Sequence, residues 1–273
     1  MLRPLPVPIL KLHPHEIQLA NDAAILQWNG YDYVSGDPVQ TDHYFLSTFS
    51  SELKKTRSPP IAHATFSYPD VREFIDVCGI RVTLVRKSEL DFPNMEAYLS
   101  ANYSSCYTKA RNAVPAGDSL TDVTDFLIDA SRAVVKQNLL LPGRIGHRVA
   151  LTSRLLFFAA PECLIFNYSR PLAMRKLKYG TQPRVAYPKF AKAMLDGLRT
   201  NWGELSKYNI PFDHNGQRFA DIFDLYDTHW WARRVLDIAL LIKHNVFTPT
   251  VDLPLLRRQC QYDNQPGATC NPP

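Results

Sequence analysis

The chain has 273 residues, of which 45% are hydrophobic and 21% charged, with a formal net charge of +5. That length can bury a sizeable core as one large domain or two modest ones, and the balance is too apolar for a disordered protein. The longest apolar run, Val235 to Ile242, contains Asp237 and falls short of the roughly 18 residues of a membrane-spanning helix, so no membrane association is expected.

In chain order, Pro4, Pro6, Pro8 and Pro14 forbid helix over the first 14 residues and interrupt the apolar helix that a signal peptide needs, so secretion is not expected. Residues 15–28 place Ile17, Leu19, Ala20, Ala24, Ile25 and Trp28 at helical spacing. Gly30, Gly36 and Pro38 mark a loop over 29–40, and a helix over 42–55 is closed by Ser58-Pro59-Pro60. Tyr68-Pro69-Asp70 opens a short helix to Cys78, and Ile80 to Val85 is the clearest strand.

After Pro93 the pattern turns helical. Helices are expected over 94–114 and 119–138, the second with Ser119 as N-cap and Asp122 three residues on. A Pro-Gly hairpin at 141–146 precedes a helix that begins near His147-Arg148. Ser169 starts another helix, with Pro171 tolerated in its first turn, and long helices follow over 187–208 and 218–244. The expected fold is mostly α, with an irregular N-terminal third that can carry a short strand. The expected partition is an irregular and helical region 1–92, a helical domain 93–250 and a polar tail 251–273.

The five cysteines, Cys78, Cys106, Cys163, Cys260 and Cys270, are odd in number and form no CxxC pair. Reduced thiols in a cytoplasm fit this better than a disulfide framework, and no cysteine metal site is expected.

The charge is unevenly spread. Between Lys136 and Lys178 stand Arg144, Arg148, Arg154, Arg170, Arg175 and Lys176, with Glu162 the one acid. Such a segment suits a phosphate-facing surface, and it equally suits a solvated basic face. In the hairpin, Pro142 fixes one φ while Gly143 and Gly146 permit positive φ and close backbone approach. The helix that follows directs its first N–H groups out of the turn, where the helix dipole adds to their attraction for an anion. An ordinary helix–helix turn also uses Pro-Gly.

The longer segment, Leu141-Pro142-Gly143…Gly146-His147-Arg148-Val149-Ala150, resembles the LPGxGxxTA hairpin of the helix-hairpin-helix DNA glycosylases. Downstream, Thr152 to Phe158, Pro161-Glu162 and Ile165-Phe166-Asn167-Tyr168-Ser169-Arg170 look like the helix-to-acid segment of bacterial 8-oxoguanine glycosylase-like proteins. Trp231 to Leu241 is similar to a further helix of the group. The resemblance is specific over about 139–173, loose over 218–242 and absent from the first hundred residues. It implies a helix-hairpin-helix glycosylase-like fold and duplex DNA as partner, gripped through Gly143, Gly146, His147, Arg148, Arg154 and Arg170. A base would be extruded into a cleft, because chemistry on a base inside a duplex requires it.

Two positions depart from the family pattern. The family's lysine position falls on Arg148, whose guanidinium cannot form a Schiff base, so a lyase step is disfavoured. The family's aspartate position falls on Asn167, or on Tyr168 if the alignment is anchored at Ser169-Arg170. Losing a unit charge about 4 Å from a developing cation forfeits roughly 4 kcal/mol at an effective dielectric of about 20, on the order of a thousandfold in rate.

Replacement acids are offered by Asp224 and Asp227, three apart near His229; a solvated helix face with Arg233 and Arg234 as ion partners is the alternative. Asp237, in an apolar run, is expected to cap or to pair with a buried Arg. Trp230, Trp231 and Tyr226 could stack on an extruded base, with Tyr168 a further base-pocket candidate, although helical spacing also places Phe219, Phe223, Tyr226 and Trp230 in a core. Cys260 and Cys270 cannot make an iron–sulfur centre, and no cofactor or metal is expected.

The leading expectation is a monofunctional DNA N-glycosylase, a hydrolase excising a damaged or modified base, with Asn167, Asp224 and Asp227 as candidate catalytic residues. The alternatives are a catalytically inactive DNA-binding or complex-forming module on the same scaffold, and a helical protein with no nucleic-acid role. A part in defence against phages, whose genomes can carry modified bases, is an analogy at the level of fold.

Overall fold

The computed structural model describes residues 10–32, 36, 42–49, 71, 73–74, 93–94, 97–99, 101–102, 124–125, 127–129, 145–159, 165–169, 172–173, 177, 183–209, 227–244 and 252. These residues are mostly helical, with no strand segment among them. The main helices are α1 (Pro14–Trp28), α2 (Asp42–Phe49), α3 (Ile145–Ala159), α4 (Pro183–Leu205) and α5 (Asp227–Lys243). The expected strand at Ile80 to Val85, most of the N-terminal third and the tail apart from Asp252 lie outside the described residues.

The chain divides into two compact units. The first comprises Met1–Lys11 and Leu46–Thr200, the second Leu12–Phe45 and Asn201–Pro273. The division is discontinuous, whereas the partition 1–92, 93–250 and 251–273 ran in sequence. Local composition marks linkers, but it carries no sign that α1 and α5, far apart in the chain, pack on each other.

The second unit is built on that packing. Pro14 opens α1 at a position where its missing N–H costs nothing. The His13 N–H donates to the Glu16 carboxylate at 2.7 Å, and Lys243 reaches the same carboxylate at 3.3 Å. At the other end, the Gly30 N–H donates to the Gln27 carbonyl and the Tyr31 N–H to Leu26, at 3.2 and 3.0 Å. This double closure needs a left-handed residue between them, and Gly30 supplies it with a φ of 93°.

Most of α1 is buried, including the polar Asn21, Asp22 and Gln27. In α5 every residue from Trp230 to Leu241 is buried. A helix enclosed on all sides must satisfy its polar groups internally. Trp231 Nε1 accordingly donates to Asn21 Oδ1 at 3.0 Å. The Arg234 guanidinium bridges Asp42, with Nε to Oδ2 at 2.7 Å, and donates to Gln27 Oε1. Asp237 lies 3.7 Å from the same guanidinium, so it does pair with a buried Arg.

The first unit has a different interior. From Leu155 to Ala159, α3 is buried continuously, and its aromatics join an edge-to-face series: Phe49 to Phe74 at 5.3 Å, Phe74 to Phe158 at 5.5 Å and Phe158 to Phe157 at 5.5 Å. One side of α4 (Ala186, Tyr187, Phe190, Ala191, Met194 and Leu198) is buried as well. The helix begins at Pro183 rather than at Tyr187, which leaves Pro188 inside it. A proline at that depth lacks one backbone bond and is usually avoided.

Candidate nucleic-acid interface

The basic helix after the hairpin is α3, and it starts at Ile145, two residues before the expected His147. Gly146, His147 and Arg148 therefore occupy its first turn. Gly143 and the rest of 141–144 lie outside the described residues, as do Arg170 and Asp224. Asp227 opens α5.

Three consecutive side chains of α3 turn toward neighbouring backbone or side chains. Thr152 Oγ1 lies within hydrogen-bond distance of the Val149 and Leu127 carbonyls, at 3.4 and 3.3 Å. Ser153 Oγ donates to the Ala150 carbonyl at 3.2 Å and accepts the Tyr168 N–H at 3.0 Å. Arg154 Nε donates to Asn167 Oδ1 at 3.1 Å.

The extended segment 165–168 is thus held along α3, with every one of its side chains buried. It is held from the other side by the Tyr187 hydroxyl, which donates to the Phe166 carbonyl at 3.3 Å. Beyond it, Ser169 does begin a turn. Its Oγ accepts the Leu172 N–H at 3.4 Å and its carbonyl the Ala173 N–H at 2.9 Å. Leu172 and Ala173 lie in a wide helical turn, with the Leu177 N–H bonded to the Leu172 carbonyl five residues back at 3.0 Å.

The geometry joins two residues that the sequence could only name separately. Asn167 is 4% exposed, and its carbonyl oxygen receives the Arg154 guanidinium. An amide carries no charge and takes up no proton at neutral pH, and here a cation stands beside it. Asn167 therefore offers neither a general base nor an anion for a developing positive sugar. Arg154, half-buried, is fixed by this bond, which lowers the entropy cost of a further contact from its outer nitrogens.

The aromatic residues expected in a base pocket are placed otherwise. Tyr168 is 4% exposed and meets Tyr187 and Phe190 edge-to-face at 5.8 and 5.2 Å. Trp230 and Trp231 are 1% and 0% exposed, with Trp28 edge-on to both at 6.3 and 5.8 Å. The two indoles are interior packing of the second unit, and stacking on a base would require that interior to open. The periodicity of α5 allowed either outcome, because an aromatic stripe and a stacking platform share the same spacing.

Arg233 and Arg234 do not stand on the solvated face that would suit them as partners of Asp224 and Asp227. They are 1% and 6% exposed, and Arg234 serves Asp42, Gln27 and Asp237. The sequence pattern pointed the other way, because Arg233, Arg234 and Asp237 stand at i, i+1 and i+4 and so form one polar side of the helix.

Among the described residues no group of three or more His, Cys, Asp or Glu is placed to hold a metal ion, and no helix is long and apolar enough to cross a membrane. No family model, no curated protein and no solved structure matches this chain.

Proposed function

We propose that the chain is a DNA glycosylase-like protein of the cytoplasm that grips duplex DNA at the hairpin 141–146 and the first turns of α3. The observation that carries this reading is the fastening of segment 165–168 to α3 by Ser153 and Arg154. These are the two stretches whose sequences resemble the glycosylase hairpin helix and its acid-bearing run, and they form one structural piece. The hairpin would present backbone N–H groups to a phosphate at the start of a helix, and His147, Arg148 and Arg154 would add positive charge.

Excision would proceed by hydrolysis without a covalent lysine step, because Arg148 stands where a lysine would attack. Asn167 supplies no charge, so stabilisation of the sugar cation would fall to a carboxylate elsewhere, with Asp224 and Asp227 the sequence candidates. The neutral, guanidinium-bonded Asn167 specifically favours a second reading: a module that binds DNA on this scaffold and cuts nothing.

Duplexes carrying different modified bases, incubated with the protein and then treated with alkali to reveal abasic sites, separate the two. Release abolished by Asp224→Ala or Asp227→Ala establishes the enzyme. Salt-sensitive binding with no release from any duplex establishes the module, and absence of binding removes both.

A further inference from the structure

Helix α4 carries a face that the hairpin reading does not use. Lys189, Lys192 and Arg199 are exposed, and Asp196 is half-exposed. At about 100° per residue these four fall within roughly 80° of one another around the axis, with Val185, 44% exposed, in the same sector. The opposite side, from Ala186 through Phe190 and Met194 to Leu198, is buried. The stripe therefore stands on a helix anchored by packing.

Asp196 is spaced i+4 from Lys192 and i−3 from Arg199, both suited to ion pairs on a helix. Among the described residues, however, none of these four groups is in an ion pair, and pairs such as Lys207–Glu204 and Lys243–Glu16 involve other side chains. The three cations thus reach solvent with no described carboxylate paired to them. At about 1.5 Å rise per residue they span roughly 15 Å of helix axis. A DNA strand completes one turn in about 34–36 Å of duplex axis, so a row of this length spans less than half a turn of its phosphates.

We propose that this outward face of α4 is a second contact surface for the phosphodiester backbone of duplex DNA. The proposal deepens the duplex-DNA reading and rests on it. A straight row of separated cations on a fixed helix complements a regular row of phosphates. Among the described residues of this sector Val185 is the one exposed large apolar side chain, whereas a folded protein partner would need a cluster of them at the centre of an interface.

Fluorescence anisotropy with a labelled duplex, across about 50 to 200 mM salt, tests it on the full chain. The variant K189A/K192A/R199A should bind about tenfold or more weakly. Its slope of log affinity against log salt should fall by about 2–3, since each phosphate left unneutralised removes about 0.9. Asp196→Asn should bind more tightly than the parent, and K189R/K192R/R199K should restore the parent slope. The substituted side chains are on the surface, and circular dichroism checks that the helices persist.

Arg148→Ala is run in parallel to keep the two sites apart. If Arg148→Ala weakens binding and the α4 triple variant retains the parent slope, this inference fails while the hairpin reading stands. If the α4 variant alone weakens binding, the hairpin reading fails and this surface stands. A parent chain without affinity for duplex overturns both. Loss of binding to heparin or anionic vesicles with unchanged binding to duplex also overturns the assignment.

Discussion

Helix α3 of the first unit and α5 of the second are both buried along most of their described length, yet their interiors are unlike. Around α3 the packing is aromatic and aliphatic, and polar side chains such as Ser153 and Arg154 turn to nearby backbone or to Asn167. Around α5 the Arg233 and Arg234 guanidinium groups, the carboxylates of Asp42 and Asp237 and the indoles of Trp28, Trp230 and Trp231 share the interior with Asn21 and Gln27. The charged interior is the more exacting, since each ion depends on the others for the solvation it has given up. The apolar one tolerates adjustment more readily.

Several substitutions sharpen that contrast. The largest effect is expected from Asp42→Ala, which leaves Arg234 buried without its closest carboxylate. Breaking such a pair costs about 3–5 kcal/mol, read as a lower urea midpoint with an unchanged slope. If the midpoint holds, the charged interior is not what secures α5. Replacing Asp42, Arg234 and Asp237 together by apolar residues of similar volume should recover most of the loss.

Next comes Trp231→Phe, which keeps a ring but removes the donor to Asn21 Oδ1. It should cost about 1–3 kcal/mol, and Asn21→Leu in the same background should return part of it. In the first unit, Asn167→Ala removes the acceptor of Arg154 Nε and is expected to cost about 1.5–3 kcal/mol, the range for a hydrogen bond to a charged group, discounted for the partial exposure of Arg154. Asn167→Asp should be neutral or stabilising by thermal denaturation, because it turns the bond into an ion pair. At the low end, Lys207→Ala at the exposed Glu204 pair should change stability by less than about 0.5 kcal/mol.

The helices themselves were legible. Apolar spacing in residues 15–28 and 218–244, and the turn signals around 141–146, anticipated α1, the end of α5 and the start of α3 to within two residues, while residues 218–226 lie outside the described residues. The start of α4 was misplaced by four residues, since the helix begins at Pro183 and runs through Pro188. The site was legible only in parts. Arg154 and Asn167 each stood out by residue type, but the bond between a helix and an extended segment 13 residues later has no periodicity to betray it. The two tryptophans were ambiguous for a physical reason, since burial depends on what α5 packs against, and that partner is α1, about 200 residues earlier.

That separation has a consequence for how the protein is made. On a ribosome adding about 5–20 residues per second, α1 is complete roughly 10–40 s before α5 exists to cover it. For that interval Trp28 lacks the two indoles that meet it in the folded chain, and the segments that contribute most of the first unit are translated within it. A nascent chain arrested before residue 227 should therefore recruit hydrophobic-binding chaperones through its opening helix, and should release them once the last long helix emerges.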